Sequence, residues 1–519
     1  MRIAPLGAAA LVLLATSACA PAARSAPAAV AAPVSAGDTT RVPPTIWSSG
    51  GILETTLGIV PGNVVLGATT FRRNLYQSGR APGTILPPTM RLNPGDSLNL
   101  TVVNGMVPAI DSIYEGNSLT NFHFHGFNVT PKAPAGDQVV TVHYTTGQRH
   151  TYAFRLPDTH PVGMHWYHPH PHGNSDAQVG GGMSGAFLVG DLRKRTSDPT
   201  MAERVMLFKE FQPWGPNHSG GAIMTLNGDS AALYTIPAGG RQLWHMGNLG
   251  ADSYTGIKVV SARTGAVIPM LVLAADGNPV AVAQAADSVL LTPGQRWEVV
   301  VTAPRTVGDT LRLVNTYQTN NVNGDVGHVL GRVAVVGPAV SPAPLTVTPD
   351  ASVTQTMRAL RNARVAATQN VAFTIDTAGR FMINGLTYSP TRIDVRVALG
   401  DTLEWVLQNP DVTDPALTND HHVFHIHQGD FLVTSVNGQT VDSNGTQDRV
   451  NLETGDTVRA RMAFSEGFQT GLYVFHCHIL FHEDNGMMQN ICVYPASEKG
   501  DGGQSWCQRQ LSSSSHAMR

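Results

Sequence analysis

From about residue 44 onward, apolar residues come in short alternating or continuous runs. Gly, Pro, Asn and Asp cut these runs every few positions, a punctuation that predicts strands joined by turns. No stretch carries the three-and-four spacing of a long amphipathic helix. The pattern predicts an all-β chain of Greek-key or sandwich character.

An internal echo divides that chain. Pro94-Gly95-Asp96 leads into LNLTVVN ending at Asn104, and Leu399-Gly400-Asp401 leads into LEWVLQN ending at Asn409, with the same Gly-to-Asn spacing. A weaker third copy runs from Gly239 through RQLWHMGN to Asn248, again at that spacing. Three related β-domains are therefore expected, over residues 44–195, 196–345 and 346–497, followed by a tail over 498–519. Their boundaries fall at composition shifts near 190–200 and 338–352, the second marked by Pro338, Pro342, Pro344 and Pro349.

Composition agrees. Charged residues are 14% of the chain, well below the roughly 25% of an average soluble protein, while Gly (52) and Pro (34) are plentiful. The net charge is −3 and the 34 Lys and Arg residues form no basic run, which points away from nucleic acid and from anionic membrane surfaces as partners. At the N-terminus, Arg2, the apolar stretch Ala8–Ala15 and Thr16-Ser17-Ala18 before Cys19 read as a signal peptide over residues 1–19. It is too short for a mature membrane span, which needs ~20 residues. The segment resembles a bacterial lipoprotein cleavage site, with Thr16 where Leu is preferred. A lipid on Cys19, an Ala/Pro-rich tether over 20–43, and a periplasmic or cell-envelope location are the expectations.

The 20 histidines are clustered: His123-Phe124-His125, His168-Pro169-His170, His422-Val423-Phe424-His425-Ile426-His427, and His476-Cys477-His478 followed by His482. On a strand, residues i and i+2 face the same way ~7 Å apart, so each His-x-His presents two imidazoles in one direction. Eight imidazoles with no carboxylate among them suit copper better than calcium or magnesium. They are too many for one ion. A multinuclear copper cluster where the first and third domains meet is the economical reading.

The same alternation separates a second site. Cys477 must face away from His476 and His478, and His422 is offset by an odd number from His425 and His427, so it can join the cysteine. His482 and Met487 follow in an expected returning loop. One thiolate, two imidazoles and a weak axial thioether form the ligand set of a blue-copper electron-transfer centre. The bonded route from Cys477 to its histidine neighbours suits one-electron oxidation of donors followed by four-electron reduction of oxygen.

On these four motifs the chain resembles the multicopper oxidases, the family of laccases, bacterial copper-tolerance oxidases and spore-coat oxidases, over essentially its whole length after the tether. The resemblance implies three cupredoxin-like domains and four copper ions. By position it makes His123 and His425 ligands of the lone type 2 copper, and His125, His168, His170, His427, His476 and His478 ligands of the coupled type 3 pair. His422, Cys477 and His482 would bind type 1 copper, with Met487 axial. His165, His172 and His421 lie outside the pattern.

Oxygen reduction consumes protons. Glu483 resembles the acid that bacterial relatives carry after the last His, and is expected to relay them. Asp137 is a second candidate, although its spacing from His123 departs from the family's Asp-Gly. Cys492 and Cys507 could close a disulfide that ties down the tail. The partners implied are dioxygen and a small reducing substrate, and a monomer is expected. With 16 Met but no Met-rich cluster, the chain leans towards laccase-like oxidation of phenols and aromatic amines. The alternatives are a Cu(I) or Fe(II) oxidase in metal tolerance and a non-catalytic copper-binding protein of the envelope. A copper nitrite reductase, which shares the cupredoxin fold, lacks the four paired motifs.

Overall fold

The computed structural model describes residues 38–79, 84–107, 118–213, 221–317, 326–410 and 421–514. The expected signal peptide, Cys19 and most of the tether lie outside the described residues. Six sheets pair into three sandwiches in chain order. The architecture is the all-β, three-domain cupredoxin-like one expected.

The three echo strands occupy one equivalent place. Ser97–Asn104 pairs parallel with Ile52–Leu66 and antiparallel with Arg149–Arg155. Arg241–Asn248 lies likewise between Ala202–Phe211 and Arg296–Thr302, and Thr402–Gln408 between Ala367–Ile375 and Thr457–Ala463. The turn glycines Gly95, Gly239 and Gly400 all have positive φ (85°, 69° and 101°), a conformation that excludes most side chains. The closing asparagines are buried because their amides tie the strand end to neighbouring backbone. Asn104 Nδ2 donates to Ser118 O and Tyr144 O, Asn248 Nδ2 to Ser253 O and Leu291 O, and Asn409 Nδ2 to Leu452 O.

Each sandwich encloses its own apolar core. In the first, strand alternation turns Leu98, Leu100 and Val102 inward against Phe122, Phe124, Tyr152 and Tyr167. The core of the last contains Trp405, Phe424, Phe475, Cys477 and Met487, so the cysteine and the axial candidate sit inside packed hydrocarbon.

One expectation needs correction. The tether was expected to reach residue 43, but its last residues pair with the middle domain: Asp38 accepts from Arg204 (2.6 Å) and Thr235 (2.8 Å), and Thr40 Oγ1 donates to Leu233 O. A 12-residue helix, Ala351–Asn362, occupies the start of the third domain. Asp350 caps it by accepting from Ser352 N and Val353 N.

Cys492 and Cys507 are bonded, and the helix Gln504–Ser514 carries Cys507 onto a cluster that includes Leu472, Val474 and Val140. A closed loop of 15 residues corresponds to roughly 3 kcal/mol of loop entropy. Cys507→Ser is therefore expected to lower the melting temperature in calorimetry.

Candidate metal centres

The strand His123–His125 lies at the edge of its sheet and pairs antiparallel with Gly163–His168, placing His123 opposite His168. In the last domain, His422–Ile426 pairs antiparallel with Gly471–Cys477, placing His425 opposite His476 and Phe424 opposite Cys477. The two sets of rings meet across the junction of the first and last domains. His123 stacks on His427 (centroids 3.8 Å apart) and His125 on His425 (4.0 Å). His170 Nε2 and His427 Nε2 lie 3.2 and 3.3 Å from His476 Nε2, and His478 Nε2 lies 3.2 Å from His125 Nδ1.

The outward ring nitrogens are held. His168 Nδ1 lies 2.9 Å from Pro169 O, His425 Nδ1 2.7 Å from Asp448 O, His476 Nδ1 3.0 Å from Cys477 O, and His123 Nδ1 3.0 Å from the Asp137 carboxylate. An acceptor at Nδ1 puts the proton there and aims the Nε2 lone pair inward. Buried Nε2 atoms of His123, His168 and His425 have no hydrogen-bond partner, a state that costs free energy unless something else satisfies them. Burial, then repulsion from neighbouring imidazoles, depresses the basicity of His123, His170, His427 and His478 well below normal. Burial, opposed by the Pro169 carbonyl and reinforced by His476, takes His168 to about 3. The rings are neutral, as metal ligands must be.

A second group lies one residue away. Cys477 Sγ is 3.6 Å from His422 Nδ1 and 3.6 Å from His482 Nδ1, and those two nitrogens are 3.2 Å apart. The chain returns through the helix Leu480–Asp484, and the loop closes where Cys477 N donates to Met487 O (3.0 Å) and Met487 N to His482 O (3.0 Å). Gly486 permits the turn, since its φ is +119° and a Cβ would press on Phe381 O at 3.0 Å. Phe373 stacks on His422 and Phe381 packs on His482, while Met487 is fully buried in the core around Cys477. Val423 N donates to Cys477 Sγ at 3.4 Å. Burial pushes the free thiol up to about 12, so a metal binding there displaces a proton.

Inward nitrogen lone pairs without partners, next to a buried thiol flanked by two imidazoles, fit copper. Residues 76–194 and 359–497 match the multicopper oxidase family. The chain belongs to the multicopper oxidase family.

The multicopper oxidase mco of Staphylococcus haemolyticus (strain JCSC1435) is 26% identical over 445 residues, covering 82% of this chain and 86% of that protein. A laccase of Haloferax volcanii is 25% identical, covering 79% and 72%. Among solved structures, a multicopper oxidase from Campylobacter jejuni described as a metallo-oxidase superposes with a TM-score of 0.68 at 21% identity, covering 90% of this chain and 95% of that one. Multicopper oxidases take electrons from a reducing substrate and pass them to dioxygen, and this chain is an oxidoreductase of that kind.

Both candidate acids touch the histidine cluster. Asp137 accepts from Phe124 N (3.1 Å) and Gln428 Nε2 (2.8 Å) beside His123, and burial raises it to about 7. Glu483 Oε1 accepts from Ser175 Oγ (3.0 Å) and lies 3.3 Å from His170 Nδ1, while Oε2 lies 3.1 Å from His476 Nδ1. The His476 proton is directed at Cys477 O, which leaves Oε2 without a donor of its own. Burial, then Asp484, raises Glu483 well above the carboxylate range.

The three remaining motif-adjacent histidines stand apart. His165 packs on Phe127 and His160, His172 on Tyr388, and His421 pairs with Glu453 (2.6 Å). The sequence reading missed Asn121, which ties His170 in place through its backbone N (2.6 Å) and O (3.0 Å), and Asp448. Neither belongs to a motif, so no spacing singled it out.

Proposed function

We propose that the chain is a laccase-like oxidase of phenols and aromatic amines that holds four copper ions. His422, Cys477, His482 and Met487 would hold type 1 copper, His123 and His425 type 2, and the other six motif histidines the type 3 pair. The bound metals supply one-electron acceptance at one centre and oxygen reduction at the other. The protein's part is to fix neutral imidazoles by their outward nitrogens, exclude water from Cys477, and keep protons at hand. Glu483, buried against His170 and His476, is placed to give up a proton there, and Asp137 has the corresponding place beside His123.

The observation carrying the substrate reading is aromatic. Tyr254 belongs to the apolar core around Cys477 and Met487, and half-buried Tyr317 stacks on it at 5.2 Å. The nearby carboxylate, Glu453, already takes Tyr317 Oη (3.0 Å), Asn451 Nδ2 (2.6 Å) and His421, so it offers an aromatic donor a polar rim more than it offers a cation an open cage. The Haloferax volcanii laccase points the same way, whereas the Campylobacter jejuni metallo-oxidase points to a metal ion as donor.

Oxygen uptake by copper-loaded protein, measured with a phenol and in parallel with Cu(I) corrected for spontaneous oxidation, tests this. Fast uptake with the phenol is expected. Uptake with Cu(I) and little with the phenol would make the chain a metal oxidase. No uptake with either, at full copper content, would make it a copper-binding protein. The Cys492–Cys507 disulfide supports export to an oxidising compartment. Attachment there through lipid on Cys19, and a monomeric state, are part of the same proposal.

A further inference from the structure

The middle domain contains none of the twelve ligand candidates, yet it reaches the histidine cluster with both backbone and side chain. A Cβ on Gly294 would come within 3.0 Å of His478 Nε2 and 3.3 Å of His125 Cε1, so this backbone lies directly on two cluster rings. Two residues on, Arg296 is completely buried and its guanidinium contacts all three domains. Nε donates to Met164 O (3.2 Å) on the first domain's strand Gly163–His168, and Nη1 donates to Gly294 O (3.0 Å). Nη1 and Nη2 together grip Asp448 of the last domain, at 3.0 and 2.6 Å.

Asp448 is where this grip meets the site. Its carbonyl receives His425 Nδ1 at 2.7 Å, and its carboxylate lies 3.6 Å from His125 Nε2. His125 and His425 are the rings stacked across the domain junction. The packing is close: a Cβ on Gly126 would meet Arg296 Nη2 at 2.6 Å and Asp448 Oδ2 at 2.9 Å. Asp276 of the middle domain steadies the arrangement by accepting Arg296 N (3.2 Å) and pairing with Arg449 Nε (3.2 Å), which neighbours Asp448.

We propose that Arg296 is a positioning residue for the copper cluster: through Asp448 it sets the His125–His425 ring pair across the meeting point of three domains. This rests on the copper reading above. A buried ion pair is a poor source of net stability, because desolvation of both charges offsets their attraction. A planar fork fixes distance and direction at once, which an ammonium cannot do. The arrangement thus transmits the placement of the middle domain to ligands on the other two.

Arg296→Lys keeps the charge and removes the fork. The expected result is a 10–100-fold loss of type 2 copper affinity, the usual effect of losing a group that orients a ligand, with an altered type 2 signal in electron paramagnetic resonance. The visible absorption of the type 1 centre and its anaerobic bleaching by a donor stay as in the parent protein. Arg296→Gln should show the same pattern more strongly. If R296K does not fold, Asp448→Asn, nearly isosteric and with the backbone carbonyl intact, carries the test with the same readouts. A variant with parental type 2 affinity and signal overturns the assignment, and so does one whose type 1 absorption and melting temperature fall in step with the cluster. A parent protein that takes up no cluster copper would instead overturn the copper reading itself.

Discussion

Cys477→Ser abolishes the visible thiolate-to-copper absorption and reduces oxygen uptake with any one-electron donor to background, while the cluster histidines keep their copper. The expectation follows from position. Cys477 Sγ lies 3.6 Å from each of two imidazoles, and its peptide neighbours His476 and His478 belong to the other group, so on the proposed assignment one side chain would be both a ligand of one centre and the covalent link to the next. A serine hydroxyl is a hard donor where the site needs a soft one. Copper analysis on this variant should give one ion fewer per chain than the parent. Loss of all copper would mean that the two groups are not independent sites, and retained donor-driven uptake would mean that electrons enter elsewhere.

Glu483→Gln should lower turnover by about 100-fold, at the low end of what a positioned proton donor contributes, with full copper content and an unchanged visible band. Glutamine keeps an acceptor for Ser175 but holds no transferable proton. Burial raises the Glu483 carboxyl well above the usual range, so its proton is kept to a higher pH than an ordinary carboxyl's and is lost as the pH climbs through that raised value. Turnover of the parent should accordingly decline on the alkaline side, and the variant should lose that limb of the profile while remaining slow throughout. An E483Q protein that matches the parent at every pH would leave Glu483 as a packing group for His170 and His476.

Much of this was legible in the sequence because the chemistry sits on regular strands. The period of two separates His425 and His427 from His422, and His476 and His478 from Cys477. Strand pairing needs only to bring Phe424 opposite Cys477 to align both sets. The Gly-to-Asn echo was legible for a local reason too: a positive-φ turn and a buried amide that ties off the strand recur in each domain. What could not be read depends on loops and on distant partners. Asp137 looked misplaced by its spacing, but the intervening chain folds back, Asp137 N donating to Thr130 O (2.8 Å), and returns the carboxylate to His123. Arg296 and Asp448 are separated by 152 residues and lie in different domains, with nothing local to mark either.

The central claim is that two copper centres, joined through Cys477, pass electrons from a donor to dioxygen. The most direct test is to reduce the copper-loaded protein fully without oxygen, add dioxygen, and follow the visible absorption and the oxygen consumed. Four coppers per chain, with one dioxygen taken up as the thiolate absorption returns, is the result predicted. Absorption that returns with no matching uptake of dioxygen, or a protein that holds copper only at Cys477, would contradict it.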